Sequence, residues 1–136
     1  MLNLKGLVHF TIPVSDIARS EAFYAGLLGM KVIQRLPPAV GMLFLRCGRD
    51  YLVLSRTTQP IGLEREDDSS IHHAFAVEGD EFDAALMELE RNGVKVFLSE
   101  VRDQGVFTGR SAYFHDPDGN VLEIIDLKAP AFRALV

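Results

Sequence analysis

The strongest constraint on this 136-residue chain is that its second half nearly repeats its first. The segments "LGMKVIQ" (28–34) and "NGVKVFL" (92–98) share Gly-x-Lys-Val at an offset of 64 residues. His9 in "LVHFTIPV" and His72 in "SIHHAFAV" hold matching places at an offset of 63, so one extra residue in the second helical region reconciles the two anchors. Around them each half reads in the same order. β-Branched and aromatic residues predict a first strand over 7–14 and again over 70–77. A helix follows each time: from a Ser15 or Asp16 cap to about Leu28, with Ile17, Phe23, Tyr24, Leu27 and Leu28 inward, and from Asp80 to Arg91, with Phe82, Leu86 and Leu89 inward. Gly29 and Gly93 stop these helices. Three short strands complete each half, at about 30–36, 42–47 and 51–56, then at 94–98, 110–115 and 121–126. The predicted fold is α+β: two βαβββ modules pairing curved mixed sheets around a central cavity, where a ligand would sit. The expected organisation is a single domain over 1–136. It comprises module one at about 5–56, a polar connector at 57–70 ("TTQPIGLEREDDSS"), module two at about 71–127 and a C-terminal tail at 128–136.

Composition narrows the function classes. A net charge of −5 and the lack of any basic run argue against a nucleic-acid surface. No apolar stretch approaches the ~20 residues of a membrane span. The N-terminus lacks a signal-peptide pattern, and the single cysteine, Cys47, excludes an internal disulfide. A cytoplasmic protein with a small-molecule substrate is expected, with no membrane and no nucleic-acid partner.

Glu123 raises the chemical question, because it stands among Val121, Leu122, Ile124 and Ile125. A buried carboxylate is costly unless it is paired or bound to a metal. "HDPDGN" reverses the chain between His115 and Val121, which sets Tyr113 opposite Glu123 across an antiparallel ladder. Strand alternation puts His72 with Ala74 and Ala76 on one face, and Ile71, His73, Phe75 and Val77 on the other. His9 shares its face with Thr11 and Pro13. Each residue alone has an ordinary reading: a hydrogen-bonded or exposed strand histidine, an edge-strand glutamate in water, a sheet tyrosine. His73 reads as packed, His115 as flanking the turn, and Cys47 as a small buried hydrophobe. Together, two imidazoles and one carboxylate match a facial ligand set for a divalent metal with open positions.

These segments resemble the vicinal oxygen chelate superfamily, which includes glyoxalase I, extradiol dioxygenases, fosfomycin-resistance enzymes and bleomycin-binding proteins. "HFTIPVSDIARSEAFYAGLLGMKV" is similar to its opening strand and helix, "HHAFAV" to its His-x-Ala-Phe strand, and "YFHDPDGNVLEI" to its closing hairpin. The resemblance spans about residues 5–127. It implies His9, His72 and Glu123 as metal ligands in the central cavity, with Fe(II) or Mn(II) favoured over Zn(II) or Ni(II). It also implies Tyr113 as a hydrogen-bond donor or acid. Thr11 and Arg110, in "GRSAYF", are similar to substrate-contacting positions of fosfomycin-modifying enzymes, with Arg102 a second basic candidate. "YLVLS" lacks the fourth, glutamate ligand of glyoxalase I, and residues 99–112 lack the acid–base histidine of extradiol enzymes. The expected function is a metal-dependent enzyme binding its substrate through adjacent oxygens, leaning to an extradiol-type dioxygenase or glyoxalase-family relative. The alternatives are a fosfomycin-type thiol transferase or hydrolase, and a non-catalytic bleomycin-resistance-like binder. A homodimer is expected, each site taking His9 from one chain and His72 with Glu123 from the other.

Overall fold

The structure, a computed structural model, describes residues 1–61 and 69–127. Residues 62–68 of the predicted connector and the predicted tail at 128–136 lie outside the described residues. Contacts divide the chain into two compact units, Met1–Pro60 and Ile61–Val136. The first contains β1 (Phe10–Val14), α1 (Ile17–Glu21) running into a π-helical turn (Ala22–Leu27), β2 (Lys31–Arg35), β3 (Met42–Cys47) and β4 (Asp50–Arg56). The second contains β5 (His73–Val77), α2 (Phe82–Arg91), β6 (Val96–Arg102), β7 (Gly109–His115) and β8 (Val121–Leu127). The α+β architecture of two βαβββ modules is therefore as predicted.

Each module forms a four-stranded mixed sheet of the same order, β1-β4-β3-β2 and β5-β8-β7-β6. The first and last strands pair in parallel, and the remaining pairs are antiparallel. The repeat extends to irregularities. The edge ladder slips between Val32 and Gln34 and again between Val96 and Leu98, the same 64-residue offset. Gly29 and Gly93 both take φ 73°, the left-handed conformation that ends a helix most cheaply at glycine.

Several boundaries differ from the sequence expectation. The first strand begins at Phe10, not residue 7, and residues 7–9 are exposed. Its partner β4 starts only at Asp50, straight out of a two-residue turn, so the ladder has no room to reach Leu7. β5 likewise begins at His73, leaving His72 one residue ahead of its strand, as His9 is ahead of β1. β6 is longer than predicted and runs to Arg102. The first helix is α-helical only to Glu21. The π-helical turn that follows, closed by Leu28 N–H donating to Phe23 O at 2.9 Å, lets adjacent Phe23 and Tyr24 both turn inward. Their rings meet edge to face at 5.3 Å. Asp16 caps this helix, accepting from Arg19 N–H at 3.0 Å.

One face of the first sheet is fully apolar: Ile12, Val14, Leu43, Leu45, Leu52 and Leu54 are buried, while Thr11 and Pro13 between them are exposed. In the second sheet Ala112, Phe114, Leu122 and Ile124 play this part, with Phe82 and Leu89 of α2 buried too. Arg110 lies on this helix-bearing face. Its guanidinium stacks over Phe82 at 4.5 Å and donates to Asp83 Oδ1 at 2.9 Å and to Gly79 O at 2.8 Å. Among the described residues, no helix is long and apolar enough to cross a membrane.

Gly109 opens β7 at φ 146°, and a Cβ there would run into the backbone carbonyl oxygen of Asp126 on β8. Backbone against backbone cannot be relieved by a rotamer change. Gly109→Ala is expected to destabilise the protein by about 3 kcal/mol or more, read as a fall in the urea midpoint. An unchanged midpoint would show that the β7–β8 ladder can shift at its end.

Candidate metal centre

A row of polar side chains crosses all four strands of the second sheet on the face opposite α2. It starts with His72 at the entry to β5 and continues through Glu123 on β8 to Ser111 and Tyr113 on β7. It ends with Glu100 and Arg102 on β6. The ladder sets Tyr113 opposite Glu123 and His115 opposite Val121, as the turn composition predicts. Parallel pairing of Ala74 with Glu123 puts the His72, Ala74, Ala76 face on the carboxylate's side. β8 is an interior strand and Glu123 is 1 % exposed, so the reading of Glu123 as a solvated edge residue does not hold.

Every oxygen of that carboxylate is spoken for. Ser111 Oγ–H donates to Glu123 Oε1 at 2.6 Å, and Glu123 Oε2 lies 3.0 Å from His72 Nε2. The other ring nitrogen, His72 Nδ1, is 2.6 Å from the carbonyl oxygen of Ser69. A carbonyl only accepts, so Nδ1 must carry the hydrogen. In the neutral ring Nε2 then presents a lone pair to a carboxylate oxygen, two acceptors face to face at hydrogen-bond distance. That arrangement is stable only with a cation, a proton or a metal ion, to share. A ligating histidine whose second nitrogen donates to a backbone carbonyl, beside a carboxylate held by a hydroxyl, is the outer-shell pattern of metal sites. His72 and Glu123 therefore fit a divalent ion. Among the described residues no group of three His, Cys, Asp or Glu side chains converges. His9 belongs to the first unit, exposed just before β1.

Tyr113 is fully buried, its ring 5.3 Å from that of His72 in an edge-on contact. Its hydroxyl accepts from Arg102 Nη2 at 2.8 Å and approaches Glu100 Oε1 at 3.3 Å. Arg102 also donates to Glu100 at 2.8 Å. Phe97, at the ladder slip in β6, stacks on His115 at 4.7 Å and lies 6.2 Å from the Tyr113 ring. Burial, and then the charge of Glu123, push the Tyr113 phenol far above its ordinary range, with Arg102 opposing. Tyr113 therefore stays a proton donor.

Arg110 does not join this row. It is an odd number of residues from Tyr113, so its side chain leaves the opposite face and ties α2 to the sheet. Arg102 is the basic residue beside the tyrosine. Thr11 is exposed on β1, paired with Val53. His73 is half-buried, as expected of a packed residue, and burial lowers its imidazole below the ordinary range, His72 adding to the effect. Cys47 is half-buried, its thiol raised by burial. Ser111 and Glu100 go unnoticed in the sequence, although Ser111 lies two residues before Tyr113 and so shares its face.

The first module carries no second copy of the row. Register places Val53 where module two has Glu123, Phe44 where it has Tyr113, and Met42 where it has Ser111. Only His9 keeps the polar type of its counterpart, His72.

The family model of the Glyoxalase/Bleomycin resistance protein/Dioxygenase superfamily matches residues 6–124. The chain belongs to this superfamily. It is 31 % identical over 121 residues to the glutathione transferase FosA of Serratia marcescens, covering 89 % of this chain and 80 % of that one. It is 30 % identical to the metallothiol transferase FosB of Staphylococcus epidermidis, over 89 % and 83 % of the two chains. The superfamily fold is shared with the fosfomycin resistance protein FosX of Listeria monocytogenes, with a TM-score of 0.78, 21 % identity, and coverage of 98 % and 100 %.

The raised Tyr113 phenol has a consequence for stability. A group whose folded pKa lies above its unfolded value favours the fold fully below the unfolded value, about 10 for tyrosine, and loses that contribution as pH rises beyond it. The wild-type denaturation midpoint is expected to fall above about pH 10, and more steeply than that of Tyr113→Phe. Equal slopes would mean that Tyr113 ionises without a penalty from the fold.

Proposed function

We propose that this protein is a divalent-metal-dependent thiol transferase acting on a small substrate held through adjacent oxygens, with fosfomycin-like phosphonates as the substrate class. The observation that carries metal dependence is the His72 Nε2–Glu123 Oε2 approach, two acceptors needing a shared cation. The transferase names of the relatives at 30–31 % identity support this reading over the extradiol-type dioxygenase toward which the sequence leans. The lack of a histidine in 99–112 points the same way.

His9 is proposed as the third ligand, with Mn(II) the first ion to test. In a homodimer it would be supplied by one copy to the His72 and Glu123 of the other. The ion would act as a Lewis acid on the substrate's adjacent oxygens. The chain's own residues do the rest. Ser111 holds the carboxylate in orientation. Tyr113, kept protonated by burial, donates a hydrogen bond to the oxyanion that develops as the substrate reacts. Arg102, one-third exposed at the end of the row, takes the anion-binding role that the sequence assigns to Arg110. Thr11 offers an exposed hydroxyl as a further donor.

Metal-free protein reconstituted with Mn(II) tests both parts. His72→Ala is expected to lower Mn(II) affinity by about 100-fold or more, whereas His73→Ala leaves affinity intact and lowers stability. With fosfomycin and glutathione or cysteine, phosphorus NMR should report a thiol adduct, and Tyr113→Phe should slow its formation about 100-fold at unchanged metal content. Ring cleavage of a catechol with no fosfomycin adduct would restore the dioxygenase reading.

A further inference from the structure

The register equivalence of the modules exposes a cleft in the first one that the metal centre does not use. Gly41 stands opposite Arg56 on β4, its carbonyl accepting from Arg56 N–H at 2.8 Å, just as Arg110 stands opposite Asp126 on β8. The parallel pairs Val14–Arg56 and Val77–Asp126 give the same correspondence. In module two the arginine's charge is met by Asp83, at 2.9 Å, and by Asp126, at 3.5 Å. In module one the arginine has changed strands and its cross-strand neighbour is a glycine. Among the described residues no carboxylate lies within ion-pair distance of Arg56.

Gly41 also leaves space. The Arg56 side chain lies across it: a Cβ at position 41, where φ is 67°, would come within 2.9 Å of Arg56 Cβ and 3.1 Å of its Nε. Beside them opens a cleft of about 570 Å³, with Leu36, Pro38 and Met42 in its wall. That volume is ordinary for a small-molecule site. Two acidic residues also line the cleft. Glu21 is neutralised by its ion pair with Arg35, and Asp16 is engaged as the helix cap.

We infer that this cleft binds an organic monocarboxylate, with Arg56 pairing the carboxylate and the apolar wall covering the body of the ligand. A guanidinium fork matches a carboxylate in two hydrogen bonds, and burial of a small apolar body adds to the attachment. Asp16, still a carboxylate while it caps the helix, disfavours a dianion such as phosphate. Benzoate is a suitable probe, followed in nitrogen–proton correlation spectra of the full chain. Saturable shifts are expected at the amides of residues 15–18, 36–42 and 56, with the dissociation constant raised about tenfold or more in Arg56→Gln. The same spectrum reports whether that variant, altered at an exposed side chain, keeps its fold. Inorganic phosphate should give no saturable shift at these amides. The inference is overturned if benzoate shifts fail to saturate, if Arg56→Gln binds benzoate as well as wild type, or if phosphate binds equally.

Discussion

A carboxylate on an interior strand, almost without access to water, is the constraint on which the second module turns. Glu123 sits in a run, Val121 to Asp126, that is buried throughout. Leaving such a group unmatched would cost more than most single contacts contribute to a domain's net stability. The module therefore builds around it: a hydroxyl from β7 on one oxygen, an imidazole on the other, and a backbone carbonyl fixing the imidazole's far nitrogen. The Ser111 hydroxyl limits the desolvation cost at one oxygen, while the other oxygen and His72 Nε2 form the acceptor pair to which the proposed function adds a cation.

The duplicated fold shows how little of a backbone repeat depends on charge. Strand order, parallel closure, the slip in the edge ladder and the helix-ending glycines all recur. They follow from apolar alternation and from turn conformations, which the two halves share. The polar residues are free of that requirement and have diverged. Val53, Phe44 and Met42 stand where module two has Glu123, Tyr113 and Ser111, so among the described residues the polar row occurs once. Gly41 and Arg56 stand where it has Arg110 and Asp126, so a closed ionic tie in one module is, among the described residues, an open cleft beside an arginine without a carboxylate partner in the other.

Much of the candidate site is legible before folding. A Pro-Asp-Gly-Asn turn leaves one register that keeps Phe114 and Leu122 in the core, and it brings Tyr113 opposite Glu123. Alternation in "IHHAFAV" separates His72 from His73. The same rule, applied to "GRSAYF", already separates Arg110 from Tyr113, so the expectation of a shared site for those two conflicts with strand geometry itself. Ser111 is legible by that rule as well.

The sequence alone therefore determined the repeat, the element order, the faces of the strands and the type of chemistry that Glu123 demands, because these depend on periodicity and on turn residues close in the chain. The tertiary structure decided the rest. It set the starts of β1 and β5, which depend on pairing with a strand distant in sequence. It made Arg102 the basic neighbour of Tyr113, which depends on the length and slip of β6. It gave His72 its tautomer, which depends on the Ser69 carbonyl meeting Nδ1. Each is a matter of distance between groups on different segments, and hydrogen bonds and ion pairs form or fail within a few tenths of an ångström that no local pattern encodes.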